Sequence, residues 1–160
     1  KLFEAERVLK KNFGANLTFK VTDTFRSIDL QRKYFEKVKA EIIEKEGLTG
    51  DELYSKVIKF IADPERTPPH CTGGAVDLTI FDLNKNEEFD MGTKIDEVSD
   101  LAQTNHPKII GKQKGNRGVL LSVMAEAGFV NSPHEWWHYS YGEQCWAMLT
   151  NQSYAIYGVL

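Results

Sequence analysis

Two short segments of this 160-residue chain carry side chains able to hydrolyse an amide. The first opens on His70, runs through Cys71, Thr72, Gly73, Gly74, Ala75 and Val76, and closes on Asp77. The second is Glu135, Trp136, Trp137 and His138. Zinc hydrolysis needs about three N or O ligands, with one coordination position left for water. His70, Asp77 and His138 supply that number and type. It also needs a carboxylate that takes a proton from the attacking water and passes it to the leaving amine, and Glu135 is the residue placed to do so. On an ideal strand Glu135 and His138 would point to opposite faces, so this reading requires a turn or bulge near Pro133.

Asp77 lies between Val76 and Leu78 in what reads as a buried strand, where an aspartate is costly unless paired or metal-bound. A salt bridge to Arg26 or a turn cap would satisfy it as well as a metal ion. Gly73 and Gly74 permit a positive φ or a close backbone approach just before that strand. Arg26 stands at an expected strand-to-helix junction, where a guanidinium could stabilise an oxyanion or simply face solvent. Trp136, Trp137 and Tyr139 could wall a small pocket, although such residues more often pack a core. Cys71 adjoins a ligand candidate, but a Cys-His nucleophile would lack an orienting partner. His106 and His134 read as structural or solvent-facing.

These groups need elements to hold them. Leu2 to Phe13 reads as an amphipathic helix stopped by Gly14, and Leu17 to Val21 alternates like a strand. A long helix follows, capped by Ser27 and ended by Gly47, with an apolar stripe of Leu30, Tyr34, Phe35, Val38, Ile42 and Ile43. Thr49 and Glu52 have capping-box spacing, and Leu53, Val57, Phe60 and Ile61 continue a second helix. Asp63 to Pro69 holds three of the five prolines and breaks regular structure. Ala75 to Phe81 reads as a strand, with a turn at Asn84 to Asn86. Residues 90–115 read as a long functional loop. Asn116 is placed to cap a helix that ends at Gly128, with Phe129 closing a Schellman motif. Glu135 to Tyr141 looks strand-like. The expected class is α+β, with a mainly antiparallel sheet and flanking helices.

Composition narrows the function classes. The 20 Lys+Arg and 23 Asp+Glu nearly cancel, which argues against an electrostatic grip on nucleic acid or a membrane surface. No apolar run approaches the roughly 18–20 residues of a membrane span. The length fits a single domain over residues 1–160. Two cysteines, Cys71 and Cys145, make no disulfide framework, and free thiols in a cytoplasmic protein are expected. The chain opens on Lys1 rather than Met, so preceding sequence is expected. If that included a signal peptide, a periplasmic or secreted location follows.

The separated motifs together resemble one family. His70 to Asp77 fits the His-x-x-Gly-x-Ala-x-Asp signature of the zinc D-Ala-D-Ala peptidases, and Glu135 to His138 fits their Glu-x-x-His signature. Asp23 to Arg26, Asp90 to Asp96, and Asn116-Arg117 through Phe129 resemble further segments of the D-alanyl-D-alanine dipeptidases. The resemblance runs over roughly residues 17 to 142, and several motifs in order are more specific than one. It implies the hedgehog-like zinc peptidase fold and one zinc ion held by His70, Asp77 and His138. It implies Glu135 as acid/base, Arg26 as stabiliser of the tetrahedral intermediate, and Asp96 as partner of the substrate ammonium. Trp137 is expected at the substrate. The substrate implied is a small D,D-dipeptide such as D-Ala-D-Ala. A D,D-carboxypeptidase or endopeptidase on longer cell-wall peptides is the neighbouring reading, and an inactive zinc-binding recognition module is another. Pro68 replaces a serine of the pattern, and Phe25-Arg26-Ser27 replaces Tyr-Arg-Pro. The family's N-terminal substrate-contacting part is expected to be missing. Oligomeric state is not legible in these residues.

Overall fold

The computed structural model describes residues 1–160, which form two compact units: residues 1–24 with 76–141, and residues 25–75 with 142–160. The elements of the first unit are α1 (Leu2–Phe13), β1 (Leu17–Asp23), β2 (Ala75–Asp82), β3 (Glu87–Glu88), a 3-10 turn (Asp100–Ala102), α4 (Gly111–Glu126), β4 (Val130–Asn131) and β5 (His138–Ser140). Those of the second are α2 (Ile28–Glu46), α3 (Gly50–Val57), a 3-10 turn (Pro69–Thr72) and α5 (Gln144–Leu149). The mixed helices and antiparallel sheet are the expected α+β class.

In the first unit the sheet order is β1-β2-β5-β4, with β3 also on β2. Strand β2 pairs antiparallel with β1 from Leu17↔Asp82 to Val21↔Leu78, then shifts register to pair Asp23 with Asp77. The hairpin to β3 turns where expected, with Asn86 at φ 54°. Its carboxylate clasp is Asp82, whose Oδ1 accepts from Asn16 Nδ2 at 2.7 Å and from the Asn84 amide at 3.0 Å.

Period-2 alternation divides β2 into two faces. Val76, Leu78 and Ile80 enter the hydrophobic core with Tyr139 of β5. Asp77 and Thr79 therefore take the other face, as do His138 and Ser140. The core is completed by Ala5, Val8 and Leu9 of α1 and by Leu120, Val123 and Met124 of α4. Both sets follow i, i+3, i+4 spacing, one stripe per helix. Full burial of a side chain such as Leu9 stabilises by about 1.5–3 kcal/mol. Helix α4 ends in the expected Schellman motif. Phe129 N–H donates to Met124 O at 3.0 Å and Gly128 N–H to Ala125 O at 2.9 Å, with Gly128 at φ 91°.

The second unit corrects several expectations. Ser27 does cap α2, accepting from the Leu30 amide, and Gly47 closes it at φ 65°. The apolar stripe is only partly buried, since Leu30, Tyr34 and Ile43 are exposed and α2 buries just Gln31 and Ile42. The inward face is 31, 35, 38 and 42: Phe35, Val38 and Ile42 of the stripe with Gln31 in place of Leu30 and Tyr34. Thr49 precedes α3 without a side-chain cap, and α3 stops at Val57. Phe60 and Ile61 lie in the turn that follows, both bonded back to Val57 O. Helix α5, which showed no sequence signal, starts where the buried Glu143 carboxylate accepts from the Cys145 and Trp146 amides.

Candidate active site

Asp77 and His138 stand on adjacent strands β2 and β5 and on the same sheet face. His138 Nδ1 lies 3.0 Å from Asp77 Oδ1, and both side chains are buried. The other ring nitrogen, Nε2, lies 3.3 Å from Ser140 Oγ. An imidazole nitrogen and a carboxylate oxygen that share a proton at this distance are a donor pair that can share a cation. A partner on the second nitrogen fixes the ring for that purpose.

Glu135 reaches this pair because the segment before β5 is not a strand. Only His138–Ser140 are extended, and residues 133–137 form a turn closed by His138 N–H to Glu135 O at 3.2 Å. The expected strand over Glu135 to Tyr141 is therefore shortened, and the opposite-face problem disappears. Glu135 Oε2 lies 3.9 Å from His138 Nδ1. Asn131 holds the turn: its Nδ2 donates to Glu135 O at 3.1 Å and to His138 O at 3.0 Å. Its Oδ1 accepts from Thr104 Oγ1 at 2.6 Å. Sequence reasoning passed over Asn131, whose only local signal is an amide one residue before Ser132-Pro133.

In the second unit His70 is buried in the 3-10 turn Pro69–Thr72. Pro69 presets the first turn position. Gly73 takes φ 72° to leave the turn, a conformation strained for any residue with a Cβ. Thr72 Oγ1 bonds Pro69 O at 2.7 Å and receives the Gly74 amide at 3.0 Å. The His70 carbonyl accepts the Arg26 amide at 3.1 Å. Arg26 is buried, not solvent-facing.

Asp96 and Trp136 line a cleft of about 660 Å³ in the first unit, with Lys20, Thr22, Glu88 and residues 89–95 and 97. Asp96 sits at φ 62° and is exposed rather than buried. Trp136 Nε1 donates to Thr93 Oγ1 at 2.8 Å. Trp137 is not among the lining residues of this cleft; it is buried in the core, edge-on to Trp136 with ring centroids 5.3 Å apart.

The loop bearing Asp96 is organised from α4. That helix begins at Gly111, so Asn116 is not its cap but a buried interior residue. Asn116 Nδ2 donates to Asp90 O at 2.8 Å. Arg117 donates to the carbonyls of Met91 at 2.7 Å, Gln103 at 2.7 Å and Leu101 at 3.0 Å. Burial pushes the Arg117 guanidinium down to about 10, still cationic at neutral pH. The Gln113 amide, with the Gly92 amide, holds the Asp90 carboxyl below the usual range. The expected loop over 90–115 is therefore a tethered segment that is interrupted by a 3-10 turn at Asp100–Ala102 and ends where α4 begins at Gly111.

The two cysteines form no disulfide, Cys71 being buried and Cys145 half-buried. Burial pushes Cys145 up to about 11, assisted by Glu143. No helix is long and apolar enough to cross a membrane.

Residues 7–158 match the family described as D-Ala-D-Ala dipeptidase, peptidase family M15. The chain is 34% identical over 155 residues to a D-alanyl-D-alanine dipeptidase of Synechocystis, covering 82% of this chain and 62% of that protein. It is 33% identical over 81 residues to the D-alanyl-D-alanine dipeptidase of Escherichia coli, covering 51% of this chain and 42% of that one. A crystal structure of a mutant of the vancomycin resistance D,D-pentapeptidase VanY, in complex with Zn(II), aligns at a TM-score of 0.48 with 16% identity. That alignment covers 97% of this chain and 76% of the other. The chain spans less than two thirds of the length of the two dipeptidases. With the family match running over nearly its whole length, the chain belongs to the D-Ala-D-Ala dipeptidase family.

Proposed function

We propose that this chain is a zinc-dependent dipeptidase that hydrolyses D-Ala-D-Ala or a similar D,D-dipeptide, acting as a single catalytic domain in the cytoplasm. The observation that carries the reading is the Asp77–His138 pair with Glu135 beside it. His70, Asp77 and His138 are all buried, and two imidazoles with one carboxylate are a donor set able to hold a metal ion. That composition suits zinc and leaves a coordination position open. Bound there, zinc would supply Lewis-acid polarisation of the scissile carbonyl and acidify a water.

The chain's own residues do the rest. The Glu135 carboxylate takes the proton of the attacking water and returns it to the leaving amine. The Arg26 guanidinium donates to the oxygen that gains charge as the carbonyl carbon becomes tetrahedral. Asp96, on the rim of the first unit's cleft, pairs with the dipeptide ammonium. Because Asp96 is exposed, water screens that pairing, so it discriminates less steeply than a buried carboxylate would. Trp137 would support the substrate only through the core it packs.

The test is a substrate panel of D,D-, L,D- and L,L-dipeptides with an N-acylated D-Ala-D-Ala tripeptide. Release of alanine from the free D,D-dipeptide above all others supports the reading. Faster cleavage of the acylated tripeptide would replace it with a D,D-carboxypeptidase.

A further inference from the structure

Helix α2 is nearly all solvent-facing, yet it buries a glutamine. Gln31 is 1% exposed, on a helix whose only other buried residue is Ile42. A buried amide is expensive unless both its ends are satisfied. Both are: Gln31 Oε1 accepts from Arg26 Nη1 at 2.8 Å, and its Nε2 donates to the Ala62 carbonyl at 2.6 Å. One turn further along, the Tyr34 ring lies 4.8 Å from the Arg26 guanidinium carbon, a cation–π stack. Residues 31 and 34 are neighbours on one helical face. The Arg26 backbone is held as well, its amide donating to His70 O.

We propose that Gln31 is a positioning residue for the reaction, fixing the Arg26 guanidinium in the orientation it needs to meet the developing oxyanion. This rests on the reading of Arg26 given above. A long arginine side chain has many rotamers, and its value to a transition state depends on being oriented before the charge forms. Gln31 supplies an acceptor on one guanidinium nitrogen. The Ala62 carbonyl fixes which end of the Gln31 amide faces Arg26, because only Nε2 can donate to it. A glutamate at 31 would keep the acceptor and lose the donor; a methionine would keep the shape and lose both.

The test is a double-mutant cycle with steady-state kinetics on D-Ala-D-Ala, using the zinc-loaded protein. Gln31→Met is expected to lower kcat about 10- to 100-fold, the range for a hydrogen bond to a charged group, with KM changed less than about 3-fold. In an Arg26→Ala background the same substitution is expected to change kcat less than about 2-fold. Gln31→Glu is expected to recover most of the kcat lost in Gln31→Met. Equal losses in both backgrounds, or a Gln31→Glu variant as impaired as Gln31→Met, would overturn the proposal. They would leave Gln31 a packing residue for the Ala62 turn. If the wild type releases no alanine, the functional reading fails, and the positioning claim is then read without activity. ¹⁵N NMR should show slower rotation of the Arg26 guanidinium in wild type and Gln31→Glu than in Gln31→Met; identical rotation in all three would contradict it.

Discussion

Among single residues, very few atoms must be right. Asp77 and His138 meet because β2 and β5 are neighbours and both residues fall on the face opposite the core. The sequence already marked Asp77, since an acid between Val76 and Leu78 in a buried strand needs a partner. It did not reveal which partner: the structure gives His138 at 3.0 Å. Glu135 was legible as a residue type, and the turn near Pro133 that strand alternation made necessary is present, closed by His138 N–H to Glu135 O. The acid/base role proposed for Glu135 makes a sharp prediction. Glu135→Gln keeps size and one acceptor and removes the proton-carrying group. It should lower kcat about 10²- to 10⁴-fold while bound zinc, measured by elemental analysis, stays within about a factor of two. Loss of zinc in that variant would instead make Glu135 a ligand.

Secondary-structure elements were read unevenly, and the reasons are physical. Helix α1, the cap at Ser27 and the Schellman end of α4 were plain, because local backbone chemistry alone dictates them. The start of α4 was missed, since Asn116 looks like a cap yet is spent on the Asp90 carbonyl. The buried face of α2 keeps Phe35, Val38 and Ile42 of the expected stripe, but tertiary packing selects Gln31 over the more apolar Leu30, Tyr34 and Ile43, which are exposed. Arg117 shows why residues 90–103 had no periodicity: their order comes from three carbonyls converging on one guanidinium, a pattern with no linear signature. Arg117→Met should leave those carbonyls short of donors and cost about 3 kcal/mol or more in urea unfolding. It should also raise KM, since Asp96 sits on the tethered loop. A KM unchanged beside a large loss of stability would show that the loop positions nothing in the substrate.

For the whole molecule, charge and length were legible and the division into two units was not. Each unit joins segments far apart in the chain, residues 1–24 with 76–141 and residues 25–75 with 142–160. The acid side of the stability profile follows from several carboxyls held below their ordinary values. The chief partners are the Asn16 amide for Asp82, Gln113 for Asp90, the Tyr54 hydroxyl for Asp63 and Lys10 for Glu6. A lowered folded-state value means the unfolded chain binds protons first. The stabilisation is therefore complete above about pH 4–5 and is lost as pH falls through the lowered values. Thermal unfolding across pH 2–7 should show Tm falling below about pH 4, and Asp82→Asn should flatten that fall. A fall of the same depth in Asp82→Asn would remove Asp82 from the set. Whether the molecule is a zinc dipeptidase at all is decided by alanine release from D-Ala-D-Ala before chelation, after it, and after zinc is returned. Release should stop on chelation and return as about one zinc per chain is restored. Release that persists in metal-free protein, or none from the zinc-loaded protein, would contradict it.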